Sequence, residues 1–163
     1  MNIPVVQVKN LSHRYSVQWA VKDLSFDVSG TGVYGLLGAN GAGKSTTMNI
    51  MCGVLSQTRG EVLIGGIDLQ KDPVAAKKKI GFLPQRPPVY TELTVKEYLD
   101  HSARLRLMDP KKIDSAIEYV MQKCQLAHFR NRLIGNLSGG YQQRVGIAQA
   151  IIHLPEFVVL DEP

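Results

Sequence analysis

The chain has 163 residues, 44% of them apolar and 20% charged, with two cysteines and a formal net charge of +5. That length suits one domain able to bury about 70% of its unfolded surface, and the composition excludes a disordered polymer. The cysteines, Cys52 and Cys124, are too few and too far apart for a disulfide framework or a thiolate zinc site, so buried free thiols are expected.

The longest apolar runs fall far short of the roughly 20 residues of a membrane span, and the N-terminus lacks a signal-peptide core. Any membrane role is therefore expected to come through a partner. The positive residues are dispersed apart from Lys77-Lys78-Lys79. This leaves nucleic acid, anionic surfaces and phosphorylated ligands as partner classes.

In chain order, VVQVKNL and LSFDVS alternate apolar with polar residues on either side of HRYSVQ, which predicts short antiparallel strands joined by a turn. Residues 33–37 form an apolar run bounded by glycines, read as a buried strand. GANGAGKST and TTMNIMCGVL follow as glycine-rich loop and helix. Residues 61–69 read as a strand pair about the Gly65-Gly66 turn, Asp72-Pro73 opens a short helix through Lys79, and residues 80–83 form a strand ending at Pro84. From 93 to 133 the apolar spacing becomes helical in TVKEYLDHSARLRLM and KKIDSAIEYVMQKCQL, with Pro110 in the first turn of the second helix. A helix from Ser138 to about Ile152 and a buried strand at 157–160 end the chain, the strand carrying Asp161 and Glu162 to its C-terminal edge.

The reading is α/β, a mainly parallel sheet with an N-terminal antiparallel part and a helical insertion. The core takes 1–87 and 137–163, and the helical subdomain takes 88–136.

Chemistry concentrates in Gly38-Ala39-Asn40-Gly41-Ala42-Gly43-Lys44-Ser45, an intact G-x-x-x-x-G-K-S between a predicted strand and a predicted helix. Glycines there let backbone N–H groups close around phosphate oxygens, and the helix N-terminus at Ser45-Thr46 adds partial positive charge. Lys44 reaches the β- and γ-phosphates, and Ser45 offers a hydroxyl to magnesium. A P-loop enzyme also needs a carboxylate for the metal shell and a group to orient or deprotonate water. Asp161 and Glu162 meet that need.

Leu137-Ser138-Gly139-Gly140-Tyr141-Gln142-Gln143-Arg144 resembles the signature sequence of the ABC ATPases, a P-loop NTPase (RecA-like) family. The physics agrees, because Ser138, Gly139 and Gly140 open a helix with little side-chain bulk at an anion-binding terminus. The resemblance implies a head-to-tail dimer with a second cassette, in which the signature reaches the γ-phosphate of ATP held opposite. It further implies that Gln85 is the Q-loop glutamine that contacts magnesium and attacking water. Tyr15 is implied to stack on adenine, with Trp19 the rival and ordinary packing open for either. Lys44, Gln85 and Glu162 are then the catalytic residues, Ser45, Gln85 and Asp161 the magnesium ligands.

The implied function is Mg-ATP hydrolysis coupled to an integral membrane permease at the cytoplasmic face, with no direct nucleic-acid partner. The stretch ELTVKEYLDHSARLRLM is similar to cassettes of ABC-2-type exporters. A soluble ABC ATPase acting on ribosomes or DNA, and a module that only binds nucleotide, are the competing readings.

Family members continue beyond Asp-Glu-Pro into a D-loop and a switch histidine, and His13, His101, His128 and His153 all precede the carboxylate pair. None of them takes the switch role. The chain is therefore expected to be a C-terminally truncated cassette, weakly active or inactive, with 158–160 at an exposed sheet edge.

Overall fold

The computed structural model describes residues 3–162, so positions 1, 2 and 163 of the expected core range lie outside the described residues. Two compact units divide the chain, Met1–Ile80 and Gly81–Pro163.

The first unit is built on an antiparallel sheet of order β2-β1-β3-β4. It comprises β1 (Val6–Tyr15), β2 (Gln18–Val28), β3 (Arg59–Ile64) and β4 (Ile67–Asp68). β1 and β2 are longer than the alternation predicts, because the pairing continues to Tyr15 opposite Gln18 and leaves only Ser16-Val17 as the turn. Bulges between Val8 and Leu11 and between Leu11 and His13 break the period of two. As a result Leu11, Ser12 and His13 are buried in succession. Two short helices complete the unit, α1 (Lys44–Met51) against β2 and α2 (Pro73–Lys78) against β4. Asp72 accepts the Ala75 N–H at 3.0 Å, and Pro73 fills the first helical position, as the Asp-Pro pair predicts.

Residues 33–37 require a correction. They form no strand, and Val33 and Leu37 are 104% and 92% exposed. An apolar run becomes a buried strand only when ladder partners flank it and other elements cover its faces. The ladders of the first unit are taken up by β1 to β4, and this run has no place in that order.

The second unit contains a two-stranded parallel sheet of β5 (Ile80–Leu83) and β6 (Phe157–Leu160). Its helices are α3 (Val95–Leu105), α4 (Pro110–Lys123) and α5 (Gly139–Ile151). They close on a core that includes Leu99, Ile117, Val120, Met121, Ile134 and Val145, all at or near zero exposure. α5 comes close to the strand region through Gly146, where an added β-carbon would lie 2.6 Å from Leu83 Cδ1. Gln149 donates its side-chain amide to the Phe82 carbonyl at 3.0 Å. β6 is less buried than expected: Val159 is buried, whereas Val158 and Leu160 are 36% and 37% exposed. Among the described residues its ladder partner is β5. Cys52 is buried as expected, but Cys124 is only half-buried, its thiol pushed up by the burial it has.

Candidate functional site

In the first unit the glycine-rich loop turns tightly, with the Ala42 N–H donating to the Ala39 carbonyl at 3.1 Å. Gly43 is the N-cap of α1 at φ 84, and a β-carbon there would collide with the carbonyl oxygen of Ala20 on β2. Only glycine satisfies both the left-handed backbone and the close approach. The α1 ladder begins with Thr47 N–H to Gly43 O at 2.8 Å, and Thr47 Oγ1 donates to the same oxygen at 2.9 Å. Lys44 and Thr46 therefore present their N–H groups upstream of the ladder, and no side chain caps the helix. The Lys44 ammonium folds back over the loop and donates to the carbonyls of Gly38 and Ala39 at 2.8 and 2.9 Å. Gly38, Ala39, Asn40, Gly41, Ala42 and Ser45 are exposed.

Tyr15 stands beside this helix start, its hydroxyl 3.5 Å from Thr46 Oγ1 and its ring 54% exposed. Trp19 differs, because the guanidiniums of Arg14 and Arg59 each lie over its ring at 5.8 Å from the centroid.

In the second unit the two strands deliver their C-terminal ends to one edge. The Asp161 N–H donates to the Leu83 carbonyl at 3.0 Å, and Gln85 Nε2 donates to Glu162 Oε2 at 2.6 Å. The amide thus spends its N–H on Glu162 and keeps its carbonyl oxygen available as a ligand. Asp161 is buried, and Glu162 is exposed with its backbone at φ 49. The left-handed backbone turns Glu162 away from the strand direction and costs about 1–3 kcal/mol at a non-glycine residue.

Ser138 is the N-cap of α5, and its carbonyl accepts the N–H groups of Tyr141 and Gln142 at 2.9 Å each. Its hydroxyl makes no cap bond. A β-carbon on Gly139 or Gly140 would meet nothing within 4 Å, so this helix start faces open space. Arg144 lies over Tyr141 at 5.1 Å and donates to Gln125 Oε1 at 2.8 Å, tying α5 to the segment that follows α4.

Of the expected site residues, the first unit brings together Gly38, Ala39 and Lys44 and sets Tyr15 against Thr46. The second brings together Gln85, Asp161 and Glu162 at one strand edge and sets Ser138, Gly139 and Gly140 at one helix start. Sequence reading missed the supporting residues: Ala20 behind Gly43, His13 against Tyr15, and Gln149 beneath β5. A glycine inside a helix, Gly146, was the one local signal of close packing there.

The residues fit the groups expected of them. The glycine loop offers backbone donors and an ammonium, which suit polyphosphate. Within the second unit Gln85 and Asp161 each offer an oxygen, and within the first Ser45 offers a hydroxyl, the ligand type magnesium takes.

Comparison with known proteins agrees with these motifs. The profile of the ABC transporter family matches residues 21–163. An uncharacterised ABC transporter ATP-binding protein, YxlF of Bacillus subtilis, is 36% identical over 98% of this chain and 52% of its own length. The bacitracin transport ATP-binding protein BcrA of Bacillus licheniformis is 35% identical over 98% of this chain and 51% of its own. The chain thus spans about half the length of these curated relatives. Among solved structures, an ATP-binding subunit of an ABC transporter superposes with TM-score 0.86 at 28% identity, over 96% of this chain and 65% of that one. CbiO1 of Clostridium perfringens, part of the cbiONQ complex, shares the fold with TM-score 0.84 at 24% identity, over 98% and 66%.

Proposed function

The chain belongs to the ABC transporter ATP-binding family, and from that premise we propose that it binds Mg-ATP and hydrolyses it as the cassette of a membrane transporter. The observation that carries the proposal is the start of α1: an N-terminus with no side-chain cap, a left-handed glycine before it, and a lysine ammonium resting on two loop carbonyls. Those neutral acceptors are weak holds for an ammonium. Phosphate oxygens can exchange for them, because an anionic acceptor adds ion-pair attraction to the bond from the ammonium.

In this reading Lys44 and the N–H groups of the 38–46 loop hold the phosphates, and Tyr15 stacks on the base. Trp19 is the poorer platform because guanidiniums already lie over it. Ser45, Gln85 and Asp161 hold magnesium, which when bound neutralises charge on the β- and γ-phosphates. Glu162 orients the water for in-line attack on the γ-phosphate and accepts its proton. Gln85 positions Glu162 by holding one carboxylate oxygen, which leaves the other for water.

The core of this cassette is residues 1–87 and 137–163, with 88–136 as its helical subdomain. Ser138, Gly139 and Gly140 serve the γ-phosphate on a second cassette docked head to tail, with two shared sites. The whole works with an integral permease at the cytoplasmic face of the membrane. Among the described residues no helix is long and apolar enough to cross a membrane.

Magnesium-ATP titration and phosphate release, run beside Lys44→Ala and Glu162→Gln, test this. Lys44→Ala is expected to abolish measurable binding. Glu162→Gln is expected to keep binding while turnover falls about 10²–10⁴-fold, the range of general-base assistance. Binding that ignores Lys44 refutes the assignment of the loop, and turnover unchanged in Glu162→Gln removes that residue from its role. Lys44-dependent binding without any release makes the chain a nucleotide-binding module.

A further inference from the structure

His13 has no part in the chemistry above, yet it is one of the few polar residues buried in the first unit, at 7% exposure. Neither imidazole nitrogen has a hydrogen-bond partner. A buried polar group without a partner is costly, and phenylalanine or leucine would fill the same volume without that cost. The β1 bulge between Leu11 and His13 turns the ring inward, and two residues on, Tyr15 follows on the same strand. The two rings meet edge to face, with centroids 4.8 Å apart and planes at 81°. This is the favoured geometry of an aromatic pair, and it is the one ring contact of Tyr15 among the described residues. Among the described residues the side chain's other polar contact is its hydroxyl near Thr46, at the long limit of a hydrogen bond, with more than half the residue's surface open.

We propose that His13 is the positioning residue for base recognition: its buried ring fixes the Tyr15 ring in the orientation that receives adenine beside the start of α1. This rests on the reading of Tyr15 as the base platform. His13 acts through Tyr15 and touches no nucleotide, because both its nitrogens are sealed from solvent. An aromatic face is sequence-tolerant toward bases, so the contribution of His13 lies in preorganising the platform.

The 163-residue chain is titrated with Mg-ATP and, separately, with magnesium tripolyphosphate, which lacks a base. Wild type is compared with His13→Ala, His13→Phe, Tyr15→Ala and Lys44→Ala. The expected result is that His13→Ala weakens ATP by about 3- to 10-fold, the order an edge-to-face contact supplies, and leaves tripolyphosphate unchanged. His13→Phe keeps the ring contact and restores ATP affinity, and Tyr15→Ala matches or exceeds His13→Ala. Equal weakening of both ligands in His13→Ala, unrestored by His13→Phe, means a purely structural role and overturns the proposal. So does unchanged ATP affinity in His13→Ala. If Tyr15→Ala is silent while Lys44→Ala abolishes binding, the base platform is misassigned and the proposal falls. Wild-type ATP binding that ignores Lys44 overturns the reading of the loop itself, which separates that failure from the other two.

Discussion

α2, α3 and α4 close their own N-termini, whereas α1 and α5 leave theirs without a side-chain cap. Asp72 and Asp109 accept backbone N–H groups at 3.0 Å in front of α2 and α4, each followed by proline. Thr94 and Glu97 form a reciprocal capping box on α3. Gly43 and Ser138 make no side-chain bond to the helices they precede, and neither α1 nor α5 has an acidic residue in its first turn. The N–H groups at an open helix start are a fixed cost unless water or an anion meets them. The difference separates helices closed by their own side chains from the two that follow the glycine motifs, whose open starts would take a ligand under the proposed function.

The harshest way to break the contrast is to give α1 a side chain where it has none. Gly43→Val must place a β-branched residue at φ 84 and push against the Ala20 carbonyl. Backbone strain and overpacking together are expected to cost about 2–5 kcal/mol, with nucleotide binding lost as well. Urea unfolding and ATP titration check both. A variant that unfolds at the wild-type midpoint would show that the loop relaxes freely and that its geometry is not specified by β2.

A smaller effect sharpens the contrast directly. Thr94→Ala removes a working cap and is expected to lower stability by about 1 kcal/mol, whereas Ser138→Ala removes a hydroxyl that makes no cap bond and is expected to change stability by only a few tenths. Any larger effect of Ser138→Ala belongs in turnover. Comparable destabilisation by the two variants would mean that Ser138 caps α5 after all, and the open-terminus argument would fail for that helix.

Much of this was legible in single residues. Asp72-Pro73 and Pro110 mark helix starts by local chemistry that needs no tertiary partner, and the Gly65-Gly66 turn and the helical spacing of 95–105 and 110–123 are equally local. The apolar run at 33–37 misled because periodicity reports hydrophobicity and says nothing of which strand will pair with it. The continuous burial of Leu11, Ser12 and His13 was hidden because a bulge shifts the period without leaving a glycine or proline to mark it. Within the candidate site, motif spacing marked Lys44, the acidic end of an apolar strand suggested Glu162, and Gln85 was marked only by the family resemblance. The fold-back of Lys44 onto its own loop and the bond from Gln85 to Glu162, 77 residues apart, depend on how strands register and could not be read from the chain.

The smallest expected effect follows from Glu97. Its carboxylate accepts the Thr94 backbone N–H at 2.8 Å and the Thr94 hydroxyl at 2.7 Å. Those bonds, the backbone one first, hold its pKa below the ordinary glutamate value of 4.5. A carboxylate whose pKa is lowered in the folded state contributes stability that is fully present above 4.5 and is lost as pH falls through the lowered folded value. The first turn of α3 should therefore loosen on acidification below 4.5, seen by NMR as amide-exchange protection of Thr94 declining in step with the Glu97 carboxyl titration. Asp100 titrates low on the same helix through Arg104, so the Glu97 carboxyl signal itself must be followed. The first turns of α1 and α5 carry no acidic residue and should show no matching transition. A parallel acid transition at Tyr141 or Thr46 would mean that a distant carboxylate already closes the open helix, and the division between self-capped and open helices would have to be redrawn.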